Sequence, residues 1–378
     1  MPSPSDPFDQ FSSAEPSGSS GPFGSAGPGR EMTDMEMRLL GMTGPPGASG
    51  TKASVDTGNR PLSAARVAQV LELAAAAASA DGVAPLSEDV LLQVRHGSSP
   101  PARDLVLYAD GPSPRDRYPA GYAHMDAPDY AGRSGDITAE LVIHPAHRRQ
   151  GYGGQLLANV LMVAHDHGVR IWAHGDLPGT AALAWHFKLT RIRALFQLRM
   201  PLAKVPETDP VFPAGVTVRT FVPGEDEAAW LGLNHRAFAH HPEQGSWTIK
   251  DLRLREEEPW FDPNGFFLAE RDGRVIGFHW TKVHQPDDGT APSEGTQPDE
   301  GTGPIGEVYV VGVDPGQQGG GLGRALTQTG LAHLRRLGLK DVLLYVDEDN
   351  TAAVRMYTGL GFSRWATDVM YRWEAAES

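Results

Sequence analysis

"VVGVDPGQQGGGLGRALTQTG", Val310 to Gly330, sets four glycines into the five positions Gly319 to Gly323, between a β-rich run and a helical run. A second stretch, "LVIHPAHRRQGYGGQLLANV", Leu141 to Val160, repeats the design. Pro145 and Pro315, Gly151 and Gly321, Gly153 and Gly323, and Leu156 and Leu326 all stand 170 residues apart. The offset survives beyond the loops, since His186-Phe187 falls on Met356-Tyr357. The chain therefore reads as a tandem repeat of one α+β domain. One doubly wound sheet is the alternative, and the antiparallel-looking hairpins ahead of each loop count against it.

The glycines have a physical purpose. A strand runs into the turn and leaves it as a helix starting near Leu322. The first N–H groups of a helix have no internal partner, and the helix dipole adds partial positive charge there. Glycines let an anion reach that backbone without meeting a Cβ. The result is a cradle that suits a diphosphate. Because the chain carries a net charge of −14, the donors must be local. The backbone amides and Arg324 are expected to serve in the second copy, Arg148 and Arg149 in the first. For one isolated loop, a turn needed only for its φ angles competes, as does a dinucleotide-binding fingerprint. Two copies in one context weigh against the bland turn. The lack of an acidic residue at the ribose distance weighs against the fingerprint.

Size and composition bound the rest. With 378 residues and 40% hydrophobic content, two packed domains fit. A pI of about 5.4 argues against a nucleic-acid coat. No cysteine is present, which closes disulfides, thiolate metal sites and an acyl-cysteine route. The histidines show no H-E-x-x-H pattern, so no metal is expected. No secretory signal stands out and no apolar run is long enough to span a bilayer. A cytoplasmic monomer is expected, with no membrane and no nucleic-acid partner.

Nineteen of the first thirty residues are Gly, Pro or Ser, and residues 1–60 read as a disordered tail. A first domain is expected over 61–202, a Pro-rich linker over 203–214 and a second domain over 215–378. Helices are expected over "SAARVAQVLELAAAAASA" with Ser63 as cap and over "LSEDVLLQV" with Ser87 as cap. The acidic Gly/Pro-rich stretch "QPDDGTAPSEGTQPDEGTGP" reads as an exposed hairpin loop.

The loops resemble the acetyl-CoA-binding motif of the GNAT acetyltransferases, Q/R-x-x-G-x-G/A. Gln318, Gly321 and Gly323 match it in the second copy, and Arg148, Gly151 and Gly153 in the first. "EDNTAAVRMYTGLGF", Glu348 to Phe362, resembles the family's next motif, with Asn350 capping a helix. The resemblance implies a mixed, splayed sheet with flanking helices in each of two tandem domains. Its gap would hold acetyl-CoA as co-substrate, with no cofactor bound permanently. The longer strings "HPEQGSW", "GFHWTKVH", "GEVYVVGVDP" and "LLYVDEDNTAAVRMY" narrow the resemblance to certain tandem members. It then covers roughly residues 62–375. Those members acetylate the cysteine amine of a cysteinyl-glucosaminyl-inositol.

By resemblance, acetyl-CoA contacts in the second copy fall on Val311, Gly312, Val313, Gln318, Gly319, Gly320, Gly321, Leu322, Gly323 and Arg324. They continue on Asn350, Thr351, Ala352, Ala353, Val354 and Arg355. In the first copy they fall on Leu141, Val142, Ile143, Arg149, Gln150, Gly151, Tyr152, Gly153 and Gly154. Acceptor contacts fall on Glu88, Glu243, Lys282, Glu307 and Tyr345.

Glu307 is expected to take the amine's proton and Tyr345, a phenol near pKa 10, to protonate the leaving thiolate. On the residues alone, Glu307 could be a solvated strand face and Tyr345 a core tyrosine; the resemblance turns both toward the site. At the 170-residue offset, Tyr345 and Asn350 become Gly175 and Thr180, so the second copy is expected to be catalytic. Glu88 lies in the first copy, so its reaching the acceptor would put the cleft between the halves. Acetylation of a different amine and a non-enzymatic CoA-binding sensor are the rival readings.

Overall fold

In the computed structural model, the described residues are 53–58, 61–97, 102–109, 118–126, 135–241, 244–285 and 303–375. The first repeat has strands β1 (Ala53–Gly58), β2 (Arg103–Ala109), β3 (Pro119–Met125), β4 (Ile137–Ile143), β5 (Val169–Ala173) and β6 (Thr190–Pro201). Its helices are α1 (Ala64–Asp81), α2 (Glu88–His96), α3 (Tyr152–Ala164) and α4 (Pro178–His186). The second repeat has β7 (Thr217–Thr220), β8 (Phe266–Arg271), β9 (Arg274–His284), β10 (Ile305–Val313), β11 (Asp341–Asp347) and β12 (Ser363–Trp373). Its helices are α5 (Glu227–Ala237), α6 (Ile249–Glu256), α7 (Leu322–Arg336) and α8 (Thr351–Leu360).

Local chemistry starts the helices as expected. Ser63 accepts from the Arg66 N–H and Ser87 from the Val90 N–H, each at 3.3 Å. Helix α6 has no counterpart in the sequence reading. It starts in a capping box between Thr248 and Asp251, but "IKDLRLRE" is too polar to show a strong apolar stripe.

The strands form one sheet in the order β1-β2-β3-β4-β5-β12-β6-β11-β10-β9-β8-β7. Only β4 with β5 and β10 with β11 pair in parallel. The repeats therefore exchange their last strands. β12 lies between β5 and β6, and β6 lies between β12 and β11. Side-chain pairs fasten the exchange: Arg372 donates to both oxygens of Asp136 at 2.8 and 3.2 Å, and Asp136 is 2% exposed.

Both faces of the sheet are covered. On one, α1 and α2 pack on Val106, Tyr122 and Val142, while Trp230 of α5 packs on Phe266, Phe278 and Trp280. On the other, α3 covers Leu105, Met125 and Ile171, and α7 and α8 cover Val308, Leu344 and Val346.

Two expectations need correction. Within the stretch expected to be a disordered tail, residues 53–58 form β1, which completes its backbone ladder on β2 and packs Val55 on the α3 core; the rest of the expected tail lies outside the described residues. The stretch after β6 is docked rather than free: Leu202 and Val205 are buried and Phe212 packs beside Leu322 and Leu326. The acidic stretch 286–302 also lies outside the described residues.

Because each repeat lacks its own final strand, residues 1–205 expressed alone should aggregate or stay unfolded, as should 206–378. Co-expression should restore the far-ultraviolet circular dichroism and cooperative melting of the intact chain; independent folding of either fragment would contradict the exchange.

Candidate active site

The ladder between β10 and β11 stops early. They pair only from Gly306 to Val308, and beyond that point Val311, Gly312 and Val313 keep partners on the β9 side alone. In the first repeat β4 leaves β5 after Glu140, so Leu141, Val142 and Ile143 stand in the same relation. Each gap opens toward a helix start. Gly321 is the N-cap of α7 at φ 84° and Gly151 the N-cap of α3 at φ 87°, and no side chain caps either end. A Cβ at Gly319, Gly320 or Gly321 would meet nothing within 4 Å, so the mouth is open. The φ angles explain the need for glycine at these two caps, since L side chains are strained there.

Gln318 and Arg148 turn out to brace the loops. Gln318 Nε2 donates to the Val313 carbonyl at 3.3 Å and Arg148 Nε to the Ile143 carbonyl at 3.1 Å, the same bond at the same offset. Arg148 also donates to both oxygens of Asp81, at 2.5 and 2.7 Å. The expectation that Arg148 serves a phosphate is therefore corrected: its guanidinium is spent holding the end of α1. Arg149 and Arg324 remain exposed. Arg149 takes the left-handed conformation of its counterpart Gly319, φ 61° against 85°. Tyr152 and Leu322 point into the core, at 3% and 2% exposure, and leave only backbone at the mouth. Asn350 caps α8 by accepting from the Ala353 N–H at 3.1 Å, so Thr351, Ala352, Val354 and Arg355 form its opening turn beside the gap.

Strand register collects the reactive groups. Residues directly opposite in a ladder share a face, as do alternate residues along a strand. Lys282 stands opposite Glu307, Glu307 opposite Leu343, and Leu343 opposite Arg199. Tyr345 stands opposite Gln197, while Asp347 and Asp368 both stand opposite Leu195. One face of the central strands thus carries Lys282, Glu307, Tyr345, Gln197, Arg199 and Asp368, with α1, α2, α5 and α6 on its flanks.

Glu307 is buried, at 6% exposure, and His284 Nε2 lies 2.6 Å from its Oε2. A buried carboxylate needs such a partner. Tyr345 is 40% exposed, so it is no core tyrosine and a ligand can reach it. Gln197 Nε2 donates to its hydroxyl at 3.1 Å. Desolvation pushes the phenol well above its ordinary range, and the carboxylates of Asp368 and Glu307 push it further. Strand register sets Glu307 and Tyr345 on the same face of neighbouring strands.

Glu88 crosses from the first repeat to the second. Its Oε1 accepts from Lys282 Nζ, and its Oε2 from the Tyr309 hydroxyl at 2.5 Å. Arg255 Nε donates to the same hydroxyl at 2.8 Å. Burial pushes the Glu88 carboxyl up, but Lys282 and Arg255 outweigh it and hold the group below the usual carboxylate range. Glu88 thus joins the polar face of the second repeat, beside Lys282. Glu243 lies outside the described residues.

Among the residues of this region that escaped the sequence reading are Gln197, Asp368, His174 and Glu140. His174 Nδ1 lies 3.1 Å from Asp368 Oδ2, and its Nε2 3.2 Å from Glu140 Oε2. Glu140 also accepts the Ser87 N–H at 2.6 Å, one residue before Glu88. This chain of contacts ties β12 to the helix start that carries Glu88. Burial alone would depress the His174 imidazole, but Asp368 and Glu140 raise it to about 10. The first repeat repeats the device, where Asp104 and Asp126 outweigh burial and raise His124 to about 10.

A splayed sheet whose gap ends at an open glycine-bounded helix start, with a carboxylate and a phenol beside it, is the arrangement of an acyl-CoA-dependent transferase. The family model for the GNAT acetyltransferases matches residues 88–189 and 233–362, and the chain belongs to that family as an N-acetyltransferase with acetyl-CoA as its co-substrate. A mycothiol acetyltransferase of Thermobispora bispora is 57% identical over 303 residues, which are 80% of this chain and 94% of that protein. Another, of Thermomonospora curvata, is 55% identical over 308 residues, 81% of this chain and 93% of that protein. Among solved structures, a tandem GNAT protein from the clavulanic acid biosynthesis pathway is similar in fold. It has a TM-score of 0.63 and 21% identity, covering 86% of this chain and all of that one, 100%. Among the described residues no helix is long and apolar enough to cross a membrane.

Two outcomes follow from this geometry. His124 and His174 are raised in the folded state, so their contribution is complete below the unfolded pKa of about 6.5 and fades as pH rises toward about 10. Tm should fall between pH 7 and 10, and the double variant His124→Gln/His174→Gln should flatten that fall; a wild-type Tm that is level over the range would contradict the assignment. At the mouth, Gly320→Ala should leave Tm unchanged and raise KM for acetyl-CoA several-fold, because Gly320 is outside the left-handed region and its added methyl meets only ligand. Gly321→Ala should in addition cost about 1–2 kcal/mol of stability, the strain of a left-handed alanine, read by denaturant unfolding.

Proposed function

We propose that the second repeat transfers acetyl from acetyl-CoA to the cysteine amine of a cysteinyl-glucosaminyl-inositol, giving mycothiol and CoA. The names of relatives at 57% and 55% identity support that acceptor. The observation that carries the catalytic assignment is the placing of Glu307 and Tyr345 on one face beside the gap of β10, where the Glu307 carboxylate helps to raise the phenol. By strand register the first repeat has Thr138 and Trp172 at the corresponding positions, where the 170-residue offset alone would give Ile137 and Gly175. It keeps an open cradle without base or acid, and we assign it to binding and support.

The backbone N–H groups at the start of α7 bind the diphosphate. The bared edge of β10 at Val311–Val313 orients and polarises the thioester carbonyl. A cysteinyl α-amine titrates near pH 8, like other α-amines, so a modest base suffices. His284 occupies Glu307 Oε2, which leaves Oε1 to accept the proton. Nitrogen attacks the carbonyl carbon, a C–N bond forms and the C–S bond breaks. The amine's proton passes to Glu307, and the CoA sulfur receives the Tyr345 proton.

The two transfers are coupled through charge. While Glu307 is ionised it holds the phenol's proton tightly. Once Glu307 takes the amine's proton its charge is gone, and the phenol becomes a better acid at the moment the thiolate leaves. The acidic surroundings also suit a cationic amine, and Lys282 can donate to polyol hydroxyls.

Glu307→Gln and Tyr345→Phe should each lower kcat at least about a hundredfold, the scale of general acid–base catalysis, with CoA release followed against cysteinyl-glucosaminyl-inositol. Gly153→Val in the first cradle should spare kcat. Release with another amine but not with this acceptor would overturn the substrate, and equal loss from Gly153→Val and Tyr345→Phe would overturn the division of labour.

A further inference from the structure

Gln197 belongs to the first repeat by sequence and to the second repeat's site by topology. It sits on the exchanged strand β6, opposite Tyr345 on one side and Ala366 on the other. It is 5% exposed. Its Nε2 donates to the Tyr345 hydroxyl at 3.1 Å, while its buried Oε1 has no hydrogen-bond partner among the described residues. A buried acceptor left unpaired costs roughly 1–3 kcal/mol. An apolar side chain of the same length would avoid that cost, so packing alone gives no reason for an amide here.

We propose that Gln197 is a positioning residue for Tyr345. By donating to the phenol oxygen it fills the acceptor side of that hydroxyl and leaves the O–H proton to point into the cleft, toward the departing sulfur. This rests on Tyr345 acting as the acid.

The surrounding carboxylates fit the same scheme. A carboxylate beside the phenol would ordinarily take its proton as a hydrogen bond and hold it back. Asp368 makes no hydrogen bond to the Tyr345 hydroxyl and is engaged by nearer partners. Its Oδ1 accepts the Gly175 N–H at 2.8 Å and its Oδ2 is met by His174 at 3.1 Å. Glu307 Oε2 is likewise occupied by His284 at 2.6 Å. The acids nearest Tyr345 act on it as charges, while the one neutral amide makes the direct bond. A carboxylate in place of Gln197 would reverse the bond, because an ionised carboxylate accepts and cannot donate.

The test uses the full chain with Gln197→Leu, Gln197→Glu and Tyr345→Phe. Gln197→Leu should lower kcat about tenfold, a part of the 10²–10⁴ that a general acid supplies, with KM for acetyl-CoA unchanged. Gln197→Glu is nearly isosteric, yet at pH 8 it should be the slower of the two. Relative to wild type at each pH, it should recover as the pH falls and the new carboxyl gains a proton to donate. In the Tyr345→Phe background neither substitution should lower kcat further.

Wild-type kcat in both Gln197 variants, with Tyr345→Phe inactive, would overturn the proposal and leave the acid assignment standing. Full activity in Tyr345→Phe would overturn the acid assignment itself. Undiminished Gln197 effects in the Tyr345→Phe background would also overturn the proposal, by showing that the amide acts elsewhere. Circular dichroism and calorimetric acetyl-CoA binding report folding; if Gln197→Glu does not fold, the Gln197→Leu cycle with Tyr345→Phe decides.

Discussion

The antiparallel ladder between β6 and β11 holds the site together. It sets Gln197 against Tyr345 and Arg199 against Leu343, and through Leu343 it fixes the row that reaches Glu307 and Lys282. A slip of one residue would turn every one of these side chains to the opposite face. The burial of Leu198, Met200, Leu344 and Val346 on that opposite face resists such a slip, because those groups would be driven out of their core. Apolar packing below the sheet thus determines which polar groups meet above it.

Charge distribution follows a similar logic. The chain is strongly acidic, with a net charge of −14, yet it presents backbone donors where an anion must bind. Around the cleft, Lys282 and Arg255 hold the Glu88 carboxyl below its usual range, and His174 bridges Asp368 and Glu140. Such pairing offsets part of the desolvation cost of these groups. The partners come from different repeats, so ion pairing also joins the halves: Arg95 and His96 of α2 both reach Glu258, at 3.1 Å.

What the sequence disclosed was local. Glycine loops, their offset, the caps at Ser63, Ser87 and Asn350 and the strand that carries Glu307 are written in neighbouring residues. The tandem α+β architecture followed from them. The exchange of β6 and β12 did not, because any pair of β-rich segments with suitable alternation can be neighbours in a sheet. For the same reason Gln197, Asp368, His174 and Glu140 were invisible: Asp368 meets His174 across 194 positions of chain. Arg148 was misjudged because its type fits an anion equally well, and only the position of Asp81 shows where the guanidinium goes. The strand at 53–58 sits in a composition that favours disorder, and β2 supplies the missing stabilisation.

The interlocked sheet has a dynamic consequence. Two domains joined by a flexible connector can close over a substrate like a clamshell, at the cost of a few backbone rotations. Here such a hinge would have to shear β12 away from β5 or β6 away from β11, breaking a run of ladder hydrogen bonds at once. The halves must therefore travel as a single stiff body. Discrimination between acceptors then falls to side chains on a fixed sheet rather than to a hinge between the halves.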